Sequence, residues 1–167
     1  MSCGPGLRWV TLLSAIAAVT GEETIPMFGE ISSPGYPAAY PNDSHSRWAI
    51  VVPQGYRVRL QFSFFQLEPS QGCIYDYLKV SSEGKPLGKF CGNDNTIVGN
   101  SPGRRVLTSR KNAMDLEFNS DFSNEGKYLG FLVHYEAIDV DECSEQDEET
   151  SLCDQLCHNS LGSYFCS

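Results

Sequence analysis

The residues able to do chemistry in this chain are cysteines, carboxylates and a few histidines, and their arrangement points away from catalysis. There are three histidines, His45, His134 and His158. His134 falls in an alternating stretch and His45 in a turn region. No Gly-Asp-Ser-Gly nucleophile motif accompanies them, so a serine triad cannot be assembled, and no HExxH pattern offers catalytic zinc. The carboxylates say more. Twenty-one Asp and Glu against twelve Lys and Arg give a formal net charge of −9. A nucleic-acid binder needs clustered basic residues, so this balance leaves cations, basic partners, or plain solubility. Acids concentrate from Asp139 to Glu149, just before and after a cysteine. Asn42-Asp43-Ser44 is an N-glycosylation sequon in a turn.

The cysteines need a compartment before they can be paired. Arg8 followed by the apolar run Trp9 to Val19 reads as an export signal, with small or modest residues at Val19-Thr20-Gly21. The run is shorter than the roughly 20 residues of a membrane span, and no later segment is a candidate for one. The sequence therefore predicts a signal over 1–21, a mature start near Glu22 and a secreted product. The signal takes Cys3 with it, which turns an odd seven cysteines into an even set: Cys73, Cys91, Cys143, Cys153, Cys157 and Cys166. In an oxidising compartment an even set implies disulfides. Cys73 and Cys91 lie far from the others and are expected to pair. The last four belong to one short segment.

Two regimes follow the signal. The block from about Phe28 to Ala137 has the size of a single core, and its signals are strand-like. Tyr56 to Phe64 alternates, which predicts Val58, Leu60, Phe62 and Phe64 on one face and Arg57, Arg59, Gln61 and Ser63 on the other. Trp48 to Val52, Tyr77 to Val80, Met114 to Phe118 and Gly130 to Tyr135 read as further strands. Ser33-Pro34-Gly35, Pro53-Gln54-Gly55 and Ser101-Pro102-Gly103 read as the turns between them. Such a pattern predicts an all-β sandwich or barrel. From Ile138 cysteines replace apolar residues. A segment this small cannot fold on a core alone, and Glu145 to Glu149 reads as a solvated loop.

The motifs then carry a resemblance. Ser33-Pro34-Gly35-Tyr36-Pro37 with Tyr40-Pro41, Cys73-Ile74-Tyr75-Asp76-Tyr77, Phe90-Cys91-Gly92 and Phe118-Asn119-Ser120-Asp121-Phe122-Ser123 together resemble a CUB domain, a jelly-roll β-sandwich. Asp139-Val140-Asp141-Glu142-Cys143, Cys157-His158-Asn159 and Gly162-Ser163-Tyr164-Phe165-Cys166 resemble a calcium-binding EGF-like module. The implied organisation is a CUB domain over 22–137 and an EGF-like module over 138–167. That module needs six cysteines and holds four, so its fifth is expected directly after Ser167. The chain then reads as the front of a longer extracellular protein or as a natural short form. Most CUB domains carry an earlier disulfide, which is missing here. The first CUB domain of the complement initiating serine proteases shares that departure, and those proteins begin CUB, EGF, CUB. Gly55-Tyr56-Arg57-Val58, Leu67 to Cys73 and Gly99 to Gly103 look most like the r-subcomponent branch. Asp139 to Cys143 with its acidic loop looks as much like the lectin-associated branch.

The resemblance implies two calcium sites. In the CUB domain it assigns Glu68, Asp76 and Asp121 as acidic ligands, with the Ser123 carbonyl and Asn124 adding oxygens and Tyr40 steadying the acids. Calcium takes six to eight oxygens in a flexible cage, and converging carboxylates need a cation to offset their repulsion. In the EGF-like module it assigns Asp139, Glu142 and Asn159, with the carbonyls of Val140, Ser160 and Ser163. It also marks Asn159 for β-hydroxylation and pairs Cys143 with Cys157 and Cys153 with Cys166.

Its functional implication is recognition. In this family, calcium-fixed carboxylates accept a lysine from the collagen-like stalk of a recognition protein, a role that falls on Glu68, Asp76 and Asp121 with Tyr75 alongside. The CUB–EGF unit also joins two protease chains. The expected function is a non-catalytic, calcium-dependent assembly region of a complement serine protease. The competing expectations are a short competitor lacking a protease and a CUB–EGF region of a developmental extracellular protein.

Overall fold

The computed structural model describes residues 25–145 and 151–167. The expected export signal, Cys3 and the acidic stretch from Gln146 to Glu149 lie outside the described residues.

Eight strands build the sandwich. They are β1 (Phe28–Ser32), β2 (His45–Val51), β3 (Tyr56–Gln66), β4 (Tyr77–Ser82), β5 (Lys85–Phe90), β6 (Val106–Thr108), β7 (Ala113–Asn119) and β8 (Gly130–Asp139). One sheet has the order β1-β8-β3-β6 and the other β2-β7-β4-β5, with antiparallel pairing throughout. A separate hairpin pairs β9 (Cys157–Ser160) with β10 (Ser163–Cys166). All five strands expected from alternation are present. The other three were hidden by their composition. β5 contains Pro86 and Gly88, and β1 contains Gly29; such residues are at home on edge strands, and both strands are edges. β6 is three residues long.

The inner faces meet in a core that includes Val58, Leu60, Leu78, Val80, Phe90, Met114, Leu116, Phe118, Phe131 and Val133, all at most 1% exposed. Along β3 the predicted alternation holds through Phe62. A bulge at Ser63 then shifts the register, since Phe62 faces Val133 while Phe64 already faces Leu132. Phe65, not Phe64, therefore joins Phe62 and Phe90 in an edge-to-face cluster with centroids 5.3 to 6.4 Å apart. Phe64 packs on Tyr36 instead.

Three disulfides form, Cys73–Cys91, Cys143–Cys157 and Cys153–Cys166, each as expected. The first ties a short 3-10 turn (Gln71–Cys73) to the end of β5 across a separation of 18 residues. Cross-linking a loop of that order stabilises by about 3 kcal/mol through the unfolded chain. The paired replacement Cys73→Ala/Cys91→Ala is expected to lower the denaturant-derived stability by that amount. A midpoint that stays in place would show the sandwich holds this turn without the bond.

The EGF-like hairpin sits directly on the sandwich. β8 continues past Ala137 to Asp139, opposite Tyr56. The Val140 N–H donates to the Gly55 carbonyl at 3.0 Å. A Cβ on Gly55 would lie 2.1 Å from the Gly162 carbonyl oxygen, so this turn accepts only glycine. Glu145, expected in a solvated loop, is exposed and also pairs with Arg57 of β3.

Candidate metal centre

One end of the sandwich gathers three loops. Glu68 follows β3, Asp76 immediately precedes β4, and Asp121 follows β7. Their carboxylate oxygens lie within 4.8 Å of one another. Pairing explains the convergence: β4 and β7 are neighbours with Tyr77 opposite Asn119, so the acids just outside each strand end meet. Glu68 is brought in by the Leu67 N–H, which donates to the Gly92 carbonyl at 3.0 Å.

Asp76 is the buried centre of the group, with no exposed surface. Its Oδ2 accepts from the Tyr40 hydroxyl at 2.5 Å and its Oδ1 from the Asp121 N–H at 2.7 Å. The Tyr40 hydroxyl in turn accepts from the Glu68 N–H at 3.1 Å. Tyr40 therefore links two of the acids. It is itself held by an edge contact with Phe118, centroids 5.3 Å apart. Asp121 caps its own loop, accepting the Ser123 N–H at 2.9 Å.

Asn124 staples this loop. Its amide donates to the carbonyls of Tyr40 and Tyr128 at 3.0 and 3.2 Å, and its Oδ1 accepts the Tyr128 N–H at 2.9 Å. Its backbone carbonyl accepts from Lys127 at 3.0 Å. Each oxygen of Asn124 thus already accepts one bond within the loop and keeps a second lone pair. Two further residues escape sequence reasoning. Buried Ser120 donates to the Pro41 carbonyl at 2.8 Å and accepts the Ser44 N–H at 2.9 Å, locking the sequon turn to the Asp121 loop. Glu125 adds a fourth negative charge near Glu68. Its position after Asp121 on one loop is the only signal the sequence offers for it.

The electrostatics are those of crowded acids. Burial raises the Glu68 carboxyl above the usual range, and the charges of Asp76, Asp121 and Glu125 push the same way. Burial also raises Asp76; hydrogen bonds from Tyr40 and the Asp121 N–H pull it back, while the Asp121 charge adds to the rise. Burial foremost, with Asp76 beside it, pushes the Tyr40 hydroxyl up. Glu68 Oε2 is buried without a hydrogen-bond partner. A bound cation fits this donor set, since it would satisfy the orphaned oxygen and offset the repulsion, and all three acids offer the hard oxygens calcium prefers.

A second group forms where the hairpin meets β8. Asp139 accepts the Asn159 amide at 2.8 Å and the Gly162 N–H at 2.6 Å. These bonds, the Gly162 N–H first, hold its carboxyl below the usual range. The Ser160 hydroxyl donates to the Ser163 carbonyl at 2.9 Å, closing the turn beside them. The Val140 carbonyl accepts the Glu142 N–H at 3.1 Å. Glu142 Oε2, like Glu68 Oε2, is buried without a partner. The second donor set fits a hard cation on the same ground.

The remaining candidates are dispersed. Tyr75 is 49% exposed beside Asp76, and its carbonyl accepts the Asn119 amide at 3.3 Å. Asn42 is exposed. The histidines sit on separate elements: His45 opens β2, His134 of β8 pairs with Glu30 at 3.0 Å, and His158 of β9 stacks on Phe165.

Comparison with known proteins agrees with this architecture. The CUB domain family matches residues 21–135. Human mannan-binding lectin serine protease 1 is 46% identical over 167 residues, covering 96% of this chain and 24% of the relative. The mouse complement C1r-B subcomponent is 44% identical over 168 residues, covering 93% of this chain and 24% of the relative. The chain thus spans about a quarter of the length of these curated relatives. The solved CUB1-EGF-CUB2 region of human MASP-1/3 matches with a TM-score of 0.78 at 48% identity, over 85% of this chain and 51% of that one. A MASP-1 CUB2 domain solved bound to Ca2+ matches with a TM-score of 0.57 at 29% identity, over 68% of this chain and 95% of that one. The r-subcomponent and lectin-associated branches are therefore matched at similar identity. On its sandwich, its strand-end acids and these matches, the chain belongs to the CUB domain family, with complement serine proteases among its close homologues.

Proposed function

We propose that this chain is a calcium-dependent interaction region of a secreted complement-pathway serine protease, which joins protease chains and docks them on the collagen-like stalks of a recognition protein. The observation that carries the reading is the convergence of Glu68, Asp76 and Asp121 around a buried, unpartnered carboxylate oxygen. Glu68, Asp76, Asp121 and the Ser123 carbonyl would hold one calcium, with Asn124 fixing the loop and adding an oxygen. Asp139, Val140, Glu142, Asn159, Ser160 and Ser163 would hold a second. Calcium at these places supplies fixed positive charge that keeps neighbouring carboxylates ionised and close together. The Ca2+-bound CUB neighbour and the CUB–EGF neighbour support both assignments.

The chain's own residues then present an acidic rim. Carboxylate oxygens of Glu68 and Asp121 accept a lysine ammonium, buried Asp76 braces the Asp121 loop from beneath by accepting its N–H, and half-exposed Tyr75 packs on the lysine methylenes. One such charge-assisted hydrogen bond contributes about 1.5–3 kcal/mol. Useful affinity therefore comes from several copies engaging one stalk assembly. The second site does a mechanical job. Asp139 belongs to β8 and also bonds Asn159 and Gly162 of the hairpin, so fixing it makes sandwich and hairpin one body. Exposed Met27 and Phe28 on the sandwich and Leu161 and Phe165 on the hairpin offer apolar surface for a second protease chain. No catalytic role is assigned to the chain. The peptidase activity named for the relatives is assigned to the three quarters of their length outside the match. Three disulfides support secretion.

The test is binding to an immobilised triple-helical collagen-like peptide carrying lysine. Binding measurable in calcium is expected to vanish in chelator and on charge removal at Asp121. Undiminished binding in chelator would sink the proposal.

A further inference from the structure

The sequon lies against the loop that carries Asp121. Asn42-Asp43-Ser44 occupies an exposed turn ahead of β2, where Asp43 takes a φ of +49°. Four hydrogen bonds tie the turn to that loop, one of them from the Ser120 N–H to the Ser44 carbonyl at 2.9 Å. The Asn42 amide donates to the Phe122 carbonyl at 2.9 Å, the Asp43 N–H to the Asp121 carbonyl at 2.6 Å, and the Ser44 N–H to the Ser120 hydroxyl at 2.9 Å. Asn42, Phe122, Ser123, Asn124 and Glu125 line one shallow depression. Phe122 stands at its edge, 79% exposed.

We infer that Asn42 carries an N-linked glycan whose first sugar is rooted in this depression, covers Phe122 and restricts access to the outer side of the Asp121 carboxylate. The transfer forms a bond from Asn42 Nδ2 to the anomeric carbon of the oligosaccharide. It breaks that carbon's bond to the diphosphate of the lipid-linked donor, and the amide proton leaves with the diphosphate. The glycosylated amide keeps one N–H, which continues to donate to the Phe122 carbonyl. The sugar is thereby anchored against the loop and does not trail into solvent. The apolar face of a pyranose ring laid over an exposed phenyl ring removes hydrocarbon surface from water. One residue connects this root to the candidate ligand, because Phe122 directly follows Asp121. The restriction of docking rests on the reading proposed above; the occupancy of Asn42 and the covering of Phe122 do not.

The test compares the full chain secreted from glycosylating eukaryotic cells with its Ser44→Ala variant. That change removes the acceptor hydroxyl of the sequon and leaves the Asn42 amide in place. The turn is held through the Ser44 N–H and carbonyl, which the variant retains. Peptide mass spectrometry is expected to find Asn42 glycosylated in the parent and unmodified in the variant. Chymotrypsin is expected to cut after Phe122 about tenfold more slowly in the parent, because nicking follows exposure of loop tips. The lysine-bearing triple-helical peptide is expected to bind the parent about threefold to tenfold more weakly, a difference of up to about 1.4 kcal/mol. An unmodified Asn42 in the parent, or equal cleavage at Phe122, overturns the inference. Slowed cleavage with equal peptide binding upholds the covering of Phe122 and overturns the restriction of docking. If neither form binds the peptide, the docking reading and the restriction fall together, and cleavage alone decides the covering.

Discussion

Phe118→Ala is expected to lower the stability of the sandwich by about 3–5 kcal/mol and to weaken calcium binding along with it. Phe118 is fully buried on β7. It contacts Tyr40 on one side, centroids 5.3 Å apart, and Phe131 on the other, at 5.7 Å. Truncation removes both ring contacts and leaves a cavity that a close-packed interior refills only in part. The consequence for the site follows from Tyr40. Its hydroxyl donates to Asp76 and accepts from the Glu68 N–H, and its ring position depends on Phe118. A loosened Tyr40 releases two of the three acids. Leu60→Ala supplies the contrast. Leu60 is equally buried, but it lies in the middle of β3 opposite Leu107 and Tyr135. Its loss is expected to cost about 2–5 kcal/mol with calcium affinity unchanged. Denaturant unfolding gives the stability and calorimetric titration the affinity. Equal calcium affinity in the two variants would show that the core does not position the site through Tyr40.

The same residues show where sequence reasoning reaches and where it stops. The strands with apolar alternation were legible because a two-residue period survives in β2, β3, β4, β7 and β8. The bulge at Ser63 was not, because inserting one residue into β3 leaves no mark in composition while moving Phe65 inward in place of Phe64. Glu68, Asp76 and Asp121 were legible through their motifs, and the cluster they form within 4.8 Å is what strand ends on adjacent loops produce. Their inequality was not legible. That Asp76 is wholly buried while Glu68 keeps an orphaned oxygen follows from loop packing, which depends on Ser120, Asn124 and the Leu67 bond to Gly92. The hairpin's seating was equally hidden, since the close approach of Gly55 and Gly162 brings together turns more than a hundred residues apart in the chain.

Calcium is expected to stabilise this chain by about 2.7 kcal/mol at a hundredfold excess over the dissociation constant, and by about 4.1 kcal/mol at a thousandfold, for each site. Without the ion, the crowded acids oppose the fold. Glu68 and Asp76 have carboxyls raised above the usual range, so the folded chain binds their protons more tightly than the unfolded chain does. Their favourable share of stability in chelator is therefore complete below the ordinary carboxylate range and is lost as pH rises through the raised values. Glutamine in place of both unpartnered carboxylates, Glu68→Gln/Glu142→Gln, separates repulsion from coordination. Neither Oε2 has a hydrogen bond to lose, and the change at Glu68 removes one of the mutually repelling charges. The variant is expected to match or exceed the parent in chelator at neutral pH and to fall below it in calcium. This crossing of the two stabilities needs an ion that binds the native carboxylates, because a merely structural defect would lower the variant in both conditions. Chemical denaturation in calcium and in chelator measures all four values. A variant that gains as much from calcium as the parent would remove Glu68 and Glu142 from the ligand sets.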